Sequence, residues 1–163
     1  MMKIKGIRID NRLLHGIVAT QWIPMAKCNR IIVIDDKVAN DFILKEMMKL
    51  ARPANIAISI LDTETVIDNL QSGRYEKQKI FIITRDTKNL IKLYEIGLLP
   101  KEINIGITAK NKEDINIAPG IYISNDELED YKYLISRGYL FDIRIVPSDK
   151  KIMLNNLLET LSR

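Results

Sequence analysis

Residues 30–34 read Arg-Ile-Ile-Val-Ile, a short run with four consecutive apolar residues. Runs of about 4–8 residues that are rich in Ile and Val are typical of strands buried on both faces of a parallel sheet. Other stretches of the same character are also predicted to be strands: 3–9, 56–61, 80–83, 103–107 and 139–146.

Helical patterns separate these runs. Residues 41–51 repeat apolar side chains at roughly the 3.6-residue period of a helix, and Pro53 lies just past the end of this segment. Residues 124–127, Ser-Asn-Asp-Glu, match a capping box that opens a helix. The predicted helices are 16–26 with a break at Pro24, 41–51, 63–70, 87–96, 124–137 and 149–161.

The alternation of strands and helices predicts the fold class. It is typical of right-handed βαβ units and favours an α/β fold with a mainly parallel, open β-sheet and helices on both faces. We expect a single domain over residues 1–163, because this length suits one hydrophobic core. The C-terminal strands are predicted to form an antiparallel edge, and the polar stretch 109–120 is predicted to be a long loop.

Composition excludes several classes of protein. With 47% apolar residues the chain is not intrinsically disordered, and its one cysteine and one histidine cannot build a Cys/His zinc site or a disulfide framework. No apolar window reaches the length of about 18 residues that a membrane helix needs, so we expect a soluble cytoplasmic protein. The net charge of +4 is too mild to indicate a nucleic-acid partner, although it favours acidic partners.

The loop after the first predicted strand concentrates the chemistry. It reads Asp10-Asn11-Arg12-Leu13-Leu14-His15-Gly16 and leads into a helix. In an open α/β sheet, ligands bind beyond the carboxyl ends of the strands, and a helix N-terminus attracts anions. Arg12 offers a planar fork that matches phosphate oxygens, and His15 can act as a nucleophile near neutral pH. Asp10 can accept the N–H of one ring nitrogen and leave the other nitrogen free to attack.

Each of these residues also has a plainer interpretation. A lone histidine is more often a surface residue than a catalyst, and Asp10 can form a structural ion pair with Arg8, which lies two residues earlier on the same face of the strand. The loop contains neither a Gly-rich dinucleotide motif nor a P-loop, which argues against a flavodoxin-like nucleotide binder. The composition of the loop alone therefore predicts an anion site and no more.

A resemblance to a known family sharpens this prediction. Residues 8–18, Arg-Ile-Asp-Asn-Arg-Leu-Leu-His-Gly-Ile-Val, resemble the signature R-I-D-x-R-L-x-H-G-x-V of one group of sugar phosphotransferase system (PTS) proteins. That group is the IIB component of the mannose/fructose/sorbose family, and every constrained position of its signature is met. The similarity extends through Trp22 and residues 30–36 to most of the chain.

The resemblance implies a protein-phosphohistidine–sugar phosphotransferase. Proteins of this family accept a phosphoryl group from a phosphohistidine on a IIA domain and carry it on their own histidine. They pass it to a sugar held by the membrane IIC and IID components. By motif, the carrier is His15, and Arg12 and Asp10 are the charged residues of the catalytic loop. The remaining residues of the implied phosphate loop are Asn11, Leu13, Leu14 and Gly16, with Arg8 as a neighbour on the strand.

The resemblance further implies a cytoplasmic protein that is bound peripherally to the membrane permease and needs no cofactor or metal. It leaves homodimerisation open. The chain departs from the family pattern at Asn11, where Asp is frequent, at Ile17, where Gln is common, and at Gly106-Ile107-Thr108, where a Gly-Gly-Met-like turn is usual. We expect this last segment to border the site, so that its change bears on sugar class and partners. An alternative function is a phosphorylation-dependent regulatory or binding module with a IIB-like fold.

Three further segments carry candidate residues. Thr84 and Asp86 follow the fourth strand at the same end of the sheet as the histidine loop, with Arg85 between them. They either help to bind phosphate or the phosphodonor, or cap a helix. The pair Asp35-Asp36 also ends a strand and is predicted to serve as cap and turn rather than as metal ligands. Cys28 lies outside the loop that a phosphocysteine class of IIB protein uses, and it is predicted to be a small buried side chain.

Overall fold

Nine strands and seven α-helices alternate along residues 1–162, which are the residues that the computed structural model describes. The strands are β1 Lys3–Ile9, β2 Arg30–Ile34, β3 Ala57–Leu61, β4 Lys79–Thr84, β5 Glu102–Ile105, β6 Ile115–Ala118, β7 Ile121–Ile123, β8 Leu140–Ile143 and β9 Ile152–Met153. The helices are α1 Ile23–Ala26, α2 Asp36–Ala39, α3 Phe42–Lys49, α4 Thr63–Gln71, α5 Thr87–Glu95, α6 Asn125–Ile135 and α7 Leu154–Leu161.

Seven of these strands form one sheet in the order β3-β2-β4-β1-β5-β8-β9. All neighbouring pairs from β3 to β8 are parallel, and β9 runs antiparallel to β8. β6 and β7 pair antiparallel in a separate two-stranded sheet. The structure thus confirms the predicted mainly parallel sheet with an antiparallel edge near the C-terminus.

Apolar side chains alternate between the two faces of the large sheet, and helices cover both faces. Along β2, Ile32 and Ile34 join one core cluster, whereas Ile31 and Val33 join the other. The first cluster includes residues of α4, α5, α6 and α7, and the second includes residues of α1 and α2, with α3 packed against it. Burial on both faces explains why these strands are continuous apolar runs in the sequence.

The topology creates a crevice at the carboxyl end of β1. The chain leaves β1 towards the face that α1 covers, but it leaves the neighbouring β4 towards the opposite face, where α5 packs. In an open sheet, two adjacent strands whose connections leave on opposite faces form a crevice between their carboxyl ends, and such folds bind ligands there. The loop 10–16 therefore lies at the binding edge of this sheet.

The predicted helix 16–26 is present but irregular. Its middle, Val18–Trp22, is a π-helical turn that passes directly into α1. Pro24 lies in the first turn of α1 and has no N–H to donate to the carbonyl four residues earlier. The wider π-helical turn before Pro24 accommodates the missing hydrogen bond. The predicted break is therefore a local widening of the helix.

Two expectations for the second half of the chain are wrong. The stretch 109–120 is not one long loop, because β6 pairs with β7 around a turn at Gly120, whose φ of +75° favours glycine. Helix α7 begins at Leu154 rather than at residue 149, since Ile152 and Met153 first pair with β8. Strands β6 and β9 are too short, at four and two residues, to give a clear periodic pattern in the sequence.

The described residues contain neither a helix that could span a membrane nor a cluster of metal-ligating side chains. Among residues 1–162, no helix has both the length and the apolar character that crossing a bilayer requires. Within the same part of the chain, no three His, Cys, Asp or Glu side chains come close enough together to hold a metal ion.

Candidate functional site

The loop 10–16 is tied by its backbone to the two strands that flank β1. The amide of Asp10 donates to the carbonyl of Thr84 at the end of β4 (3.0 Å). The amide of Asn11 donates to the carbonyl of Ile107, just past the end of β5 (2.9 Å). These hydrogen bonds hold the loop in place, and the segment after β5 borders it, as we expected from the sequence.

A tight turn shapes the start of the loop. The Leu13 amide donates to the Asp10 carbonyl (3.1 Å), and the Arg12 amide donates to Asp10 Oδ1 (3.0 Å). Leu13 has a φ of +57°, a conformation that costs a residue with a side chain about 1–3 kcal/mol. Leu13 and Leu14 are both buried in the core, and burial of a leucine contributes about 1.5–3 kcal/mol, which offsets this strain. The two leucines therefore anchor the loop.

His15 lies at the end of the loop, immediately before the helical segment that starts at Gly16. Its ring Nε2 is 3.1 Å from Oδ2 of Asp10, and its side chain is 16% exposed. A carboxylate oxygen can only accept, so Nε2–H is the donor of this hydrogen bond, and in the neutral imidazole the lone pair then lies on Nδ1. The amides of the first helical turn have no acceptor within the helix and so favour an anion nearby.

Arg8 holds the same carboxylate from within the sheet. Its Nε donates to Asp10 Oδ2 at 2.9 Å, and its Nη2 lies 2.9 Å from that oxygen, at ion-pair distance but outside hydrogen-bond geometry. Burial lowers the pKa of the Arg8 guanidinium from its ordinary value, although the charge of Asp10 and the hydrogen bond to it act in the opposite direction. Arginine stays protonated in proteins despite such shifts. Asp10 therefore pairs with Arg8 and with His15 at once, so the two alternatives for Asp10 are both realised.

A row of polar side chains continues from Arg8 across the sheet. Arg8, Asn104 and Asp142 occupy matched register positions on β1, β5 and β8, and all three are buried. Arg8 Nη1 donates to Asn104 Oδ1 and to the carbonyl of Arg144 (2.9 Å), and Asn104 Nδ2 donates to the carbonyl of Asp142 (3.1 Å). Asp142 Oδ2 pairs with Arg144 Nη2 at 2.7 Å. Each buried charge thus has an opposite charge beside it, which a buried ion needs.

Trp22 covers this polar row. The guanidinium carbons of Arg8 and Arg144 lie 5.1 and 5.4 Å from the centre of its ring, within the range of a cation–π contact. The indole Nε1 donates to the carbonyl of Ile145 at 2.9 Å. Trp22 therefore joins the helical segment that follows His15 to the strands that hold Arg8.

Gly106 leaves room for the ion pair. A Cβ atom at this position would lie 2.5 Å from Arg8 Cζ and 2.7 Å from Asp10 Oδ2. Both contacts are closer than van der Waals packing allows, and both involve buried, charged groups. The Gly106 amide also donates to the carbonyl of Ile9 at 2.8 Å. The first residue of the divergent segment 106–108 thus has a steric reason to be glycine.

An open cleft of about 390 Å³ lies beside the loop. Arg12, Lys37 and Arg85 line it, and its apolar lining comes from the loop, α2 and α3. The side chain of Arg12 is exposed and makes no hydrogen bond or ion pair with any of residues 1–162. Arg85 Nε pairs with Asp35 Oδ2 at 2.5 Å and remains 39% exposed. An anion in the cleft can therefore contact the guanidinium of Arg12, which has no partner among residues 1–162, and two further cations, Lys37 and Arg85.

Thr84 and Asp86 have local structural roles. The hydroxyl of Thr84 is buried and accepts from Asn89 Nδ2 (2.8 Å) and from the Asp86 amide (3.2 Å). Asp86 caps α5 by accepting from the Lys88 amide at 2.8 Å. Of Thr84 and Asp86, only Thr84 forms a hydrogen bond with the loop 10–16, through its backbone carbonyl, whereas Arg85 between them donates from Nη1 to the Asn11 carbonyl at 3.4 Å. Their side chains favour the capping interpretation.

Asp35 and Cys28 also have structural environments. Asp35 caps α2 by accepting from the Val38 amide at 2.8 Å, and although its burial would raise its pKa, the hydrogen bonds from Arg85 and Val38 lower the pKa overall. Cys28 is buried, and burial raises the pKa of its thiol. A raised pKa disfavours the thiolate that a phosphocysteine carrier would need.

The polar row beyond Arg8 is not among the features predicted from the sequence. Asn104, Asp142 and Arg144 lie far from the loop in sequence and meet it only through the register of β5 and β8. The available signal was one polar residue in the middle of each of two otherwise apolar runs, Ile103–Ile105 and Phe141–Ile143. A polar side chain in a strand that is buried on both faces needs a partner, and a second such strand can supply it.

The fold and the loop together define a class of protein: an α/β domain that presents one histidine, held by a buried carboxylate, at the carboxyl edge of its sheet. The family model for the PTS system sorbose subfamily IIB component matches residues 4–162. The chain therefore belongs to the sorbose subfamily of PTS IIB components.

Curated relatives support this assignment. The chain is similar to the N-acetylgalactosamine-specific phosphotransferase enzyme IIB component 1 of Escherichia coli K12, with 34% identity over 145 residues, 88% of this chain and 91% of the relative. It is also similar to the mannose-specific EIIAB component of the same organism, with 26% identity over 162 residues, 99% of this chain. The chain spans 50% of the length of that EIIAB relative.

Solved structures share the fold. The N-acetylgalactosamine-specific IIB component 1 of Escherichia coli has a TM-score of 0.82 and 32% identity, covering 91% of this chain and 97% of its own. The IIB domain of the sorbose permease of Klebsiella pneumoniae has a TM-score of 0.91 and 23% identity, covering 98% of each chain. The second likeness bears on the fold alone.

We predict that Gly106→Ala destabilises the protein by about 1–3 kcal/mol, the usual cost of overpacking a filled interior. The added methyl group must displace Arg8 or Asp10. Gly16→Ala is the matched control, because a Cβ there meets nothing within 4 Å. We expect this control to change the free energy of unfolding by less than about 0.5 kcal/mol. Urea denaturation of both variants measures the difference, and equal stabilities would show that Gly106 has no steric role.

Proposed function

We propose that the chain is a phosphocarrier of a sugar phosphotransferase system. It accepts a phosphoryl group from the phosphohistidine of a IIA domain onto His15, and it passes that group to a sugar during transport through the membrane IIC and IID components. The observation that carries this proposal is the 3.1 Å hydrogen bond from His15 Nε2 to Asp10 Oδ2. That bond gives a neutral imidazole a fixed orientation and one free nitrogen at the edge of the sheet.

The proposed step is an in-line displacement at phosphorus. The lone pair of His15 Nδ1 attacks the phosphoryl group, the bond from phosphorus to the donor imidazole nitrogen breaks, and its electron pair returns to the donor ring. Nε2 keeps its proton throughout, and the Asp10 carboxylate stabilises the positive charge that develops on the ring. Because donor and acceptor are both imidazoles, the reaction is close to balanced in energy and calls for no metal or cofactor.

The surroundings of His15 supply the positioning and charge that phosphoryl transfer needs. Arg12 is free to form a bidentate contact with phosphoryl oxygens, and the amides of the helical turn that begins at Gly16 can donate to them. The cleft beside the loop adds Lys37 and Arg85. These cations and amides stabilise the doubly negative phosphoryl group both as it arrives from the donor and as it leaves.

The second half-reaction delivers the phosphoryl group to sugar. The relatives are named for different sugars, mannose, fructose, sorbose and N-acetylgalactosamine, although they match the same domain. This variety supports a division of labour in which the membrane components choose the sugar and the IIB domain carries phosphate. We accordingly propose that residues 1–163 act as one IIB unit on the cytoplasmic side of the membrane, bound peripherally to the permease.

His15→Ala is predicted to abolish phosphoryl acceptance, because His15 is the only histidine in the chain. The side chain lies at the edge of the sheet, and Asp10 keeps its ion pair with Arg8 in this variant, so the fold should persist with a cooperative thermal transition. The assay incubates each protein with phosphoenolpyruvate, the general phosphotransferase proteins and a set of IIA domains. Mass spectrometry then detects one acid-labile phosphoryl group. An acid-labile phosphate on the His15→Ala variant would contradict the assignment.

Asp10→Asn is predicted to slow phosphoryl acceptance by about 10–100-fold, as when other histidines lose the carboxylate that orients them. The asparagine side chain can donate as well as accept a hydrogen bond, so it does not fix the His15 ring in the tautomer that has its proton on Nε2. Because the variant also weakens the pair with Arg8, the nitrogen-15 chemical shifts of His15 are measured as well. We expect the Nε2–H tautomer to dominate in the wild type and a mixture in the variant. Identical tautomers and equal rates would remove Asp10 from the mechanism.

Arg12→Lys is predicted to slow acceptance about tenfold, which corresponds to the loss of one charge-assisted hydrogen bond. Lysine keeps the charge but not the planar fork that contacts two phosphoryl oxygens. The free energy of unfolding should change by less than about 0.5 kcal/mol, since the side chain is exposed. A rate equal to that of the wild type would show that Arg12 contributes charge alone or has no part in the transfer.

A further inference from the structure

Helix α3 leaves four large apolar side chains in water. Phe42 is 77% exposed, Ile43 69%, Met47 61% and Leu50, at the C-terminal end of the helix, 86%. We call these four side chains the α3 surface. The other exposed large apolar side chains are spread over six segments of the described chain: Met1, Met25, Tyr133, Leu140, Ile152 and Leu161. The α3 surface is therefore a concentrated apolar patch, which on a soluble protein indicates a site of interaction.

The packing of α3 against its own domain does not account for this patch. Leu44, Met48 and Ala51 point inward and pack against the core, but no residue of α3 is fully buried. Ile43, Met47 and Leu50 recur at intervals of four and three residues, so they form a second apolar stripe beside the inward one. A helix that needed only to cover the sheet would have one apolar stripe. The second stripe is therefore better explained by contact with a partner protein.

The α3 surface adjoins the proposed phosphoryl site. Met47 lines the same cleft as Arg12, Lys37 and Arg85. The apolar patch therefore meets, at Met47, the three cations that line this cleft beside residues 11–13 of the loop, and we call these three cations the cationic rim. A partner that covers both must be apolar at one end of its contact face and acidic at the other.

We propose that the α3 surface is the docking surface for the IIA phosphodonor and that Lys37 forms the cationic edge of the contact. This inference rests on the proposed function, and it names the surface by which the donor is recognised. Transfer brings the donor histidine within bonding distance of His15, so the donor must cover the protein surface around the loop. The four apolar side chains of α3 then lose their contact with water at the moment when the two histidines meet.

Charge favours the donor over two other occupants. A second copy of this chain would place one cationic rim against another, which is repulsive. The membrane component meets this domain when the phosphoryl group is already on His15, and its sugar is neutral, so the cationic rim offers it little. The phosphorylated donor arrives with its own doubly negative group, and the cations around the cleft attract it.

The test compares two sources of phosphate for the same His15. One is a phosphorylated IIA domain that labels the wild type in the assay above, and the other is phosphoramidate, a small donor that needs no docking surface. The variants are Ile43→Glu and Leu50→Glu, which place a carboxylate in the apolar stripe at positions that do not line the cleft. The control is Leu161→Glu, because Leu161 is similarly exposed, at 64%, but lies on α7.

We expect each α3 variant to lower kcat/KM with the IIA donor about tenfold or more, as for a residue at the centre of an interface. Labelling by phosphoramidate should match the wild type, and Leu161→Glu should change neither reaction. Lys37→Glu should slow the IIA reaction chiefly at low salt, where steering by charge is strongest.

Two results would overturn the docking proposal. The first is an unchanged IIA reaction in both α3 variants, and slower sugar phosphorylation by the same variants in membrane vesicles would then assign the surface to the permease. The second is a wild-type dimer in sedimentation analysis that the α3 variants dissociate. If no IIA domain labels His15 of the wild type, the proposed function itself fails, which is a separate result.

Discussion

One oxygen atom, Oδ2 of Asp10, determines the geometry of the site. It accepts from buried Arg8 at 2.9 Å on its inner side and from His15 Nε2 at 3.1 Å on its outer side. The histidine is thereby oriented by the sheet as well as by its own loop. Buried ion pairs contribute little net stability, since desolvation offsets their attraction. Their value here lies in position, which is the main requirement of phosphoryl transfer.

This shared carboxylate restricts residues far from the loop. Asn104 holds Arg8 in place from β5, and Gly106 must lack a side chain where the ion pair lies against the backbone. Trp22 covers Arg8 and so links the helical segment after His15 to the same network. The interior end of the site is thus tightly packed and charge-balanced. The outer end, with Arg12 and the α3 surface, is open to solvent, which suits the exchange of partners that we propose.

The sequence predicts most of the fold because its strands are buried on both faces and so stand out as runs such as Ile31–Ile34. It also predicts the loop of His15, since a motif of adjacent residues is visible without the structure. It does not reveal the row formed by Asn104 and Asp142, because only the strand register brings those residues together. Likewise, the apolar repeat in 41–51 predicts a helix but cannot show which of its apolar side chains stay exposed.

In the proposed transfer, Nε2 of His15 is held by Asp10, so that phosphate is carried on Nδ1. Nitrogen-15 NMR of the phosphorylated wild-type chain distinguishes the two ring nitrogens, because coupling to phosphorus-31 identifies the nitrogen that bears the phosphoryl group. We expect coupling at Nδ1 with a proton retained on Nε2. Coupling at Nε2, or a phosphoryl group on any residue other than His15, would contradict it.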